Sequence, residues 1–399
     1  MRAAVVQMKL PQGYSDTPSS LSQVATPGLS GSQCACPPSL SFAAGFDSFA
    51  VLQRAPSKAS VYGETISLNA EIEVTITSSN MSSYTVRAST TPMSAPIAVD
   101  GGANYSVSWK ALLRPTAPGG NYTITARCVN HCGTEFNGTK DTARDVVVID
   151  NVTFGDVFIC GGQSNMALPL HHTFGGVALD TAARTSPAGG KFDRLRLFTY
   201  GGMSSSEKSF APVWTRAQTH SDVVRFNATT SSWLTARAAA HLPLRCHQGT
   251  PGFANCSKPT YNPLLSFSAA CVQFGRELID ALAQEPKSSF DVDVPIGLIQ
   301  IAVGGTRIES WSPNETTAGC ANATGAGSLY YGMITPFVNT TVRGFVWYRC
   351  WKRDAWRRIR MHAIWVRAIS LHVVFTLIKL TSSYHLSSLS HLQISSIMA

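Results

Sequence analysis

Apolar and polar residues alternate through much of the first half of the chain, which is the pattern of half-buried β-strands. In the segment ETISLNAEIEVTIT (64–77) the apolar residues occupy every second position: Ile66, Leu68, Ala70, Ile72, Val74 and Ile76. The same alternation recurs in YSVSW (105–109), NYTITARC (121–128) and DVVVID (145–150), with the turn sequences DGGAN and APGGN between them. Several short strands at this spacing predict a small antiparallel β-sandwich over residues 41–150.

After residue 150 the alternation gives way to continuous apolar runs, which predict strands buried on both faces. The runs are GDVFIC (155–160), VPIGLIQIAVGG (294–305) and VRGFVWY (342–348). Segment 266–284 between them predicts an amphipathic helix, with apolar residues at four-residue spacing: Ala270, Phe274, Leu278 and Leu282. Strands and a helix in this order predict an α/β domain with a parallel sheet over residues 151–348.

A serine follows the first of these apolar runs, in the sequence VFICGGQSNM (157–166). A serine hydroxyl becomes a nucleophile when a neighbouring base activates it and N–H donors stabilise the oxyanion. Gly161 and Gly162 would allow the tight turn that exposes Ser164. Met166 occupies the second glycine position of the G-x-S-x-G elbow, so this is not that motif. A Gly-Gly-x-Ser turn taken alone is more often structural.

A second glycine pair, Gly304 and Gly305, follows the next apolar run. Ligands of parallel sheets bind at the carboxyl ends of the strands, so this pair and Ser164 are expected to share one rim. A glycine there could present a backbone N–H with no side chain in the way.

Together with their surroundings, these segments resemble the sialate O-acetylesterase family of the SGNH/GDSL hydrolase superfamily. FGDVFICGGQSNM (154–166) is similar to the family's nucleophile block, and PIGLIQIAVGGTRIESW (295–311) is similar to its second block. FSAACVQFGRELIDAL, LYYGMITPFVNTTVRGFVWY and the upstream SFAAGFDSFAVLQRAP resemble the family in the same order, so the resemblance covers roughly 41–348. It implies an α/β fold with an SGNH-type three-layer parallel sheet, incomplete here, preceded by the β-sandwich domain.

The resemblance implies a serine esterase that removes O-acetyl groups from sialic acids or other acetylated sugars. Ser164 would attack the acetyl carbonyl, and the N–H groups of Ser164 and of Gly305 or Gly304 would hold the oxyanion. The residues that would line or adjoin the pocket are Gln163, Asn165, Glu309 and Trp311. Loop capping explains the first three of these equally well. We expect an O-acetylated carbohydrate as partner, and neither a cofactor nor a metal, because CVNHC and RCHQ lack paired zinc-ligand spacing.

The resemblance ends at Tyr348, where the family would continue with a Gln-Gly-Glu-Ser-like stretch and later an Asp-x-x-His-type block that supplies the base. Residues 349–399 contain eight Lys or Arg and one acidic residue, Asp354. We interpret them as a divergent basic tail from read-through or frame-shifted sequence. A membrane-surface helix and nucleic-acid binding are less favoured alternatives, and no membrane span is expected. A chain without the base is expected to be inactive or nearly so.

Ten cysteines and ten N-x-S/T sequons favour a secreted or lysosomal glycoprotein. The sequon asparagines are Asn80, Asn104, Asn121, Asn137, Asn151, Asn227, Asn255, Asn314, Asn322 and Asn339. Cys128–Cys132 and Cys246–Cys256 are plausible local disulfides, and Cys160 and Cys271 are expected in the core because they lie in apolar runs. Residues 1–40 predict a disordered leader whose start is a poor signal peptide.

Two other functions stay open from the sequence. One is an acetylxylan-type polysaccharide acetylesterase, and the other is a non-catalytic secreted glycan-binding protein that uses the same pocket. Apolar residues at 44% and charged residues at 14% exclude a solvated disordered chain, but they do not separate these functions or give the oligomeric state.

Overall fold

The computed structural model describes residues 39–348, apart from positions 44, 79–80, 99–103, 133–134, 137–138, 141–144, 201–232, 243–261, 285–292, 314–315, 317–326 and 328. The predicted basic tail, nearly all of the predicted leader, the DGGAN turn before Asn104 and the Cys246–Cys256 pair lie outside the described residues.

The described chain is built mainly of strands, with short helices and one long helix. The strands are β1 (Leu40–Phe42), β2 (Val51–Gln53), β3 (Ser60–Thr65), β4 (Glu71–Ser78), β5 (Met81–Arg87), β6 (Ser89–Ala98), β7 (Asn104–Leu112), β8 (Gly119–Asn130), β9 (Glu135–Phe136), β10 (Thr139–Lys140), β11 (Val146–Gly162), β12 (Leu195–Thr199), β13 (Leu234–Thr235), β14 (Ile296–Ala302) and β15 (Gly344–Tyr348). The α-helices are Ser164–Ala167, Gly176–Thr185, Lys191–Arg194, Ala236–His241, Pro263–Ser266 and Ala269–Gln284. The 3-10 turns are Leu170–His172, Ile308–Trp311 and Thr335–Phe337, and Tyr330–Ile334 is a π-helical turn.

Two antiparallel layers form the first half of the fold. Strands β1, β3, β7 and β6 make one sheet, and β8, β4 and β5 are the antiparallel end of a larger mixed sheet. Their inward side chains share one core, in which Trp109 of β7 and Val74 and Ile124 of β4 and β8 are almost fully buried. Alternating burial along β4 and β8 is the pattern predicted for half-buried strands.

The single strand predicted over 64–77 is wrong, because the structure has two strands there. β3 ends at Thr65, which pairs with β1, and β4 begins at Glu71, which pairs with β8 of the other layer. The intervening residues connect the layers, and Leu68 is 62% exposed. Apolar and polar residues keep alternating through this connection. A period of two therefore cannot show that the chain has passed from one sheet to the other.

The long strand β11 joins the two halves of the fold. Its first residues pair with β8 in antiparallel fashion, and its last residues, Asp156 to Gly162, pair in parallel with β14. The predicted domain boundary at residue 150 therefore falls within one strand, and the division into 41–150 and 151–348 stays a prediction.

The second half is a parallel arrangement of strands with helices against it, which confirms a mixed α/β fold. Strands β12, β14, β11 and β15 run parallel in that order, and β13 pairs antiparallel with β12. Every residue of β14 is buried, as its continuous apolar sequence predicts. The three predicted strands are present, whereas β12 was not predicted from the sequence. The SGNH-type three-layer arrangement stays a prediction.

The predicted helix is present as Ala269–Gln284, but its buried stripe is shifted. Cys271, Val272 and Ile279 are fully buried, and the residues predicted to form the stripe are only partly buried. Among the described residues, no helix is both long enough and apolar enough to cross a membrane.

Candidate active site

The ends of β11, β14 and β15, with the loops that follow β11 and β14, form the rim on which Ser164 lies. Gly162 at the end of β11 pairs with Ala302 of β14 on one side and with Tyr348 of β15 on the other. The N–H of Val303 donates to the Gly162 carbonyl at 3.0 Å. The loops that carry Ser164 and the Gly304–Gly305 pair therefore start side by side, as the sequence predicts.

Ser164 is exposed and is the first residue of the short helix Ser164–Ala167. The inner side of this helix is anchored in the core, because Met166 and Ala167 are buried. Beyond the helix, the N–H of Leu170 donates to the Phe267 carbonyl at 2.8 Å. The serine is therefore presented to solvent from a short turn that is fixed against the core.

The two glycines before Ser164 are required by close packing. A Cβ on Gly161 would lie 2.6 Å from the Trp347 ring. Gly162 has a φ of 145°, and a Cβ there would lie 2.2 Å from the Tyr348 carbonyl oxygen. Strand β15 thus fills the space that the two missing side chains leave.

A disulfide anchors the strand that leads to Ser164. Cys160 of β11 is bonded to Cys271 of the helix Ala269–Gln284, and both residues are fully buried. The expectation that both cysteines lie in the core is confirmed, but the sequence analysis missed their pairing. The predicted Cys128–Cys132 disulfide is confirmed. Cys160 and Cys271 are 111 positions apart in the sequence, and no local pattern connects them.

A buried polar cluster that was not predicted from the sequence lies beneath the helix Ser164–Ala167. The Oε1 of Gln300 accepts the N–H of Ser268 at 2.8 Å, and the Ser268 hydroxyl donates to Sδ of Met166 at 3.2 Å. Gln300 is fully buried, and its Nε2 has no hydrogen-bond partner within the described part of the chain. The sequence signal for this cluster is Gln300 itself, because a polar residue inside a continuous apolar strand needs a buried hydrogen-bond partner.

The second loop is held from below by hydrogen bonds and by Trp311. Gly305 is exposed with a left-handed φ of 76°, and no atom lies within 4 Å of a Cβ built there. The hydroxyl of Thr306 donates to the Val303 carbonyl at 2.8 Å and accepts the Trp311 Nε1–H at 2.9 Å. Trp311 is only 3% exposed and meets Trp347 edge-on, with ring centroids 5.2 Å apart. Trp311 thus supports the loop from the interior.

The other candidate pocket residues lie on the same two loops. Gln163 and Asn165 flank Ser164 and are half-buried, and the Gln163 N–H faces the Tyr348 carbonyl at 3.4 Å. Glu309 is half-buried, and its backbone carbonyl accepts the N–H of Gly327 at 2.9 Å. The fold therefore brings all the predicted site residues to the two neighbouring loops, and their chemical roles stay predictions.

A general base for Ser164 is not found within the described residues, where its hydroxyl has no hydrogen-bond partner. The histidines nearest in sequence lie in the 3-10 turn Leu170–His172. Nδ1 of His171 is 3.0 Å from the Leu265 carbonyl oxygen, and its ring packs edge-on against His172. Burial lowers the pKa of His171, which favours its neutral form. This histidine is engaged with the backbone and does not hydrogen-bond Ser164.

Groups of three or more His, Cys, Asp or Glu side chains suited to a metal ion are not found among residues 39–348 as far as the structure describes them. The described groups on this rim that could take part in a reaction are the serine hydroxyl, backbone N–H groups and the side chains of two loops.

Comparison with known proteins gives similarity to acetylesterases. No family model matches the chain. It is 26% identical to human sialate O-acetylesterase over 263 residues, which is 61% of this chain and 38% of the human protein. It is 25% identical to mouse sialate O-acetylesterase over 349 residues, which is 77% of this chain and 51% of the mouse protein. The chain thus spans between about two fifths and half of the curated relatives it matches.

The fold is similar to the crystal structure of a carbohydrate acetylesterase from Xanthomonas citri. The TM-score is 0.53 at 21% sequence identity, and the match covers 83% of this chain and 57% of that chain. At this level of identity the likeness concerns the fold.

Proposed function

We propose that this chain, which is related to the sialate O-acetylesterases, acts on O-acetylated carbohydrates through a serine esterase site centred on Ser164. The observation that carries the proposal is the exposed Ser164 at the end of β11, beside the Gly304–Gly305 loop at the end of β14. The relatives act, by name, on O-acetylated sialate, and the structural neighbour is named as a carbohydrate acetylesterase.

In the proposed reaction the Ser164 oxygen bonds to the acetyl carbonyl carbon, and a base takes the hydroxyl proton. The carbonyl oxygen becomes an oxyanion, which the N–H groups of Ser164 and Gly305 stabilise. The sugar hydroxyl leaves with a proton, and water then releases acetate from the acetyl-serine. The first N–H groups of a helix have no partner inside it, so the Ser164 N–H is free of the helix's own hydrogen bonds.

The described residues do not provide a proton acceptor for the first step of this reaction. Loss of a general base costs roughly 10²–10⁴ in rate. We therefore expect the site formed by the described residues to hydrolyse acetyl esters slowly, by means of Ser164 and the proposed oxyanion donors alone. The absence of a described base is also the observation that favours the second candidate, a glycan-binding protein without catalysis.

The proposed compartment is the secretory route, which leads to secretion or to the lysosome. Two disulfides, Cys128–Cys132 and Cys160–Cys271, support it because such bonds persist in oxidising compartments.

The experiment is acetate release by the purified full chain from O-acetylated sialic acid and from an acetylated xylo-oligosaccharide. Ser164→Ala is expected to abolish release above the uncatalysed rate. Ser83→Ala, at an exposed serine of β5 outside the predicted glycosylation sites, is the matched control and is expected to leave the rate unchanged. If the parent chain binds these sugars and releases no acetate, and Ser164→Ala binds equally well, the esterase proposal is rejected in favour of glycan binding. Preferential release from one sugar identifies the substrate class.

A further inference from the structure

Arg307 is an exposed cation on the rim whose charge no described residue neutralises. Most arginines in the described part of the chain are engaged: Arg54, Arg87, Arg184, Arg194, Arg237 and Arg276 pair with carboxylates, Arg196 donates to backbone carbonyls, and Arg114 lies over the Tyr84 ring. The backbone carbonyl of Arg307 accepts the N–H of Ser310 at 3.2 Å, but its side chain is exposed and makes no hydrogen bond or ion pair with any described residue. Its guanidinium is therefore available to an anion from solution.

The backbone that carries Arg307 is fixed on both sides. Before it, the Thr306 hydroxyl is hydrogen-bonded to the Val303 carbonyl and to Trp311. After it, Ile308 is 7% exposed and begins the 3-10 turn that ends at the buried Trp311. An exposed side chain on an anchored backbone presents its charge from a defined position, which reduces the entropy lost when a ligand binds.

The position of Arg307 relates it to the proposed reaction. It lies two residues after Gly305, the proposed oxyanion donor, on the loop that starts beside the Ser164 loop. Glu309, two residues after Arg307 in the 3-10 turn Ile308–Trp311, carries a carboxylate and is half-buried. An anionic ligand on this loop would meet repulsion from Glu309, and Arg307 is the group that can offset it.

We propose that Arg307 is a specificity-determining residue that binds the carboxylate of an acidic O-acetylated sugar. This inference rests on the proposed function and names its substrate class. A guanidinium matches a carboxylate with two parallel N–H donors, and such charge-assisted bonds are stronger than neutral ones. A neutral acetylated sugar, such as an acetylated xylose unit, has no carboxylate to make this contact.

The test compares two probes that differ in one charge, O-acetylated N-acetylneuraminic acid and its methyl ester. Binding to the full chain is measured at low ionic strength by ligand-observed NMR, which does not require turnover. We expect the acid to bind about tenfold more tightly than the ester, which corresponds to about 1.4 kcal/mol. Arg307→Gln is expected to bring this ratio to one or below, because Glu309 then remains uncompensated. Arg307→Lys, which keeps the charge and loses the fork, is expected to retain part of the preference.

The matched control is Arg127→Gln. Arg127 lies on β8 in the antiparallel half, and its side chain is also exposed and makes no hydrogen bond or ion pair with a described residue. The Arg127→Gln substitution should leave the ratio of acid to ester affinity unchanged. A ratio of one in the parent chain, an unchanged ratio in Arg307→Gln, or an equal effect of Arg127→Gln would overturn the proposal.

Failure of this inference and failure of the proposed function are distinguishable. Acetate release that depends on Ser164 but not on Arg307, with equal rates on acid and ester, rejects the role of Arg307 and keeps the esterase. A charge preference that depends on Arg307, with no acetate release, supports the acidic-sugar site and rejects the esterase.

Discussion

The indole ring of Trp347 covers the backbone of Gly161 so closely that a Cβ on this glycine would lie 2.6 Å from Cζ3 and 2.8 Å from Cε3. Trp347 is in turn packed edge-on against the buried Trp311. The ring therefore links the strand before Ser164 with the 3-10 turn that follows Gly305. Packing alone therefore explains why position 161 is a glycine, whatever the chemistry at Ser164.

Gly161→Ala is expected to destabilise the protein by about 1–3 kcal/mol, the usual cost of overpacking a filled site. The added methyl must displace a ring that Trp311 restrains, so the strain cannot be relieved by one side chain moving alone. The measurement is the free energy of unfolding from denaturant titration. Gly175→Ala is the control, because nothing lies within 4 Å of a Cβ there, and a change within about 0.5 kcal/mol is expected. Equal effects of the two substitutions would contradict the packing argument.

Gly305→Ala separates backbone strain from function, because a second glycine has the same conformation. Gly305 and Gly189 both have a φ of 76°, and neither has an atom within 4 Å of a built Cβ. Alanine at either position should therefore cost about 1 kcal/mol of stability through the left-handed backbone alone. Alanine keeps the backbone N–H of the proposed oxyanion donor but places a methyl group beside it and strains its backbone. We therefore expect acetate release to fall about tenfold, less than the roughly 10²–10³ that removal of an oxyanion donor costs.

Gly189→Ala, at the turn before the helix Lys191–Arg194, should leave acetate release unchanged at the same loss of stability. The comparison is made at a temperature where both variants remain folded. If both variants lose activity in proportion to their stability, Gly305 is an ordinary turn residue and the oxyanion role is wrong.

The parallel strands were predictable because burial on both faces imposes one continuous apolar run, as in β14. The connection between β3 and β4 was not predictable, because Ile66 and Leu68 keep the alternation while the chain passes between layers. Periodicity records which residues are apolar. It does not record which strand each residue pairs with, and that pairing is known only from the strand register in the structure.

The site was predictable to the same extent. Ser164 and Gly305 follow apolar runs, and parallel strand ends meet at one edge, so their proximity followed from the fold class. The support beneath them did not follow, because the Cys160–Cys271 bond and the contact of Gln300 with Ser268 join residues far apart in the sequence. Long-range contacts of this kind depend on the packing of the helix Ala269–Gln284 on the sheet, which composition and spacing do not determine.

Two predicted glycosylation sites lie against each other, and we expect only one of them to carry a glycan. Nδ2 of Asn121 donates to Oδ1 of Asn151 at 3.3 Å. Asn121 is exposed, whereas Asn151 is half-buried with a left-handed φ of 55°. Asn121 therefore has the more accessible side chain, and we expect a glycan on its Nδ2 to crowd Asn151.

The measurement is intact-mass spectrometry of the chain expressed through a eukaryotic secretory route. Asn121→Gln should remove the mass of one glycan, and Asn151→Gln should remove none. Loss of one glycan from each variant would show that both sites are occupied and that the contact opens in the glycosylated protein. A chain without any glycan would instead count against the proposed compartment.

The two disulfides should differ in their contribution to stability, because they close loops of very different length. Cys160 and Cys271 are 111 residues apart, and Cys128 and Cys132 are 4 residues apart. In the chain-entropy model the longer loop contributes about 5 kcal/mol and the shorter about 2 kcal/mol. The double variants Cys160→Ala/Cys271→Ala and Cys128→Ala/Cys132→Ala are therefore expected to lose unequal amounts of unfolding free energy under the same oxidising conditions.

The functional consequences should also differ. Without the longer bridge, the end of β11 keeps its pairing with β14 and β15 but loses its covalent link to the helix packed behind it. Acetate release should therefore fall in the Cys160→Ala/Cys271→Ala variant at temperatures where it is still folded, and should not change in the Cys128→Ala/Cys132→Ala variant. Equal stability losses would show that strain or residual structure in the unfolded chain outweighs loop closure. Unchanged acetate release after loss of the longer bridge would show that the strand pairing alone positions Ser164.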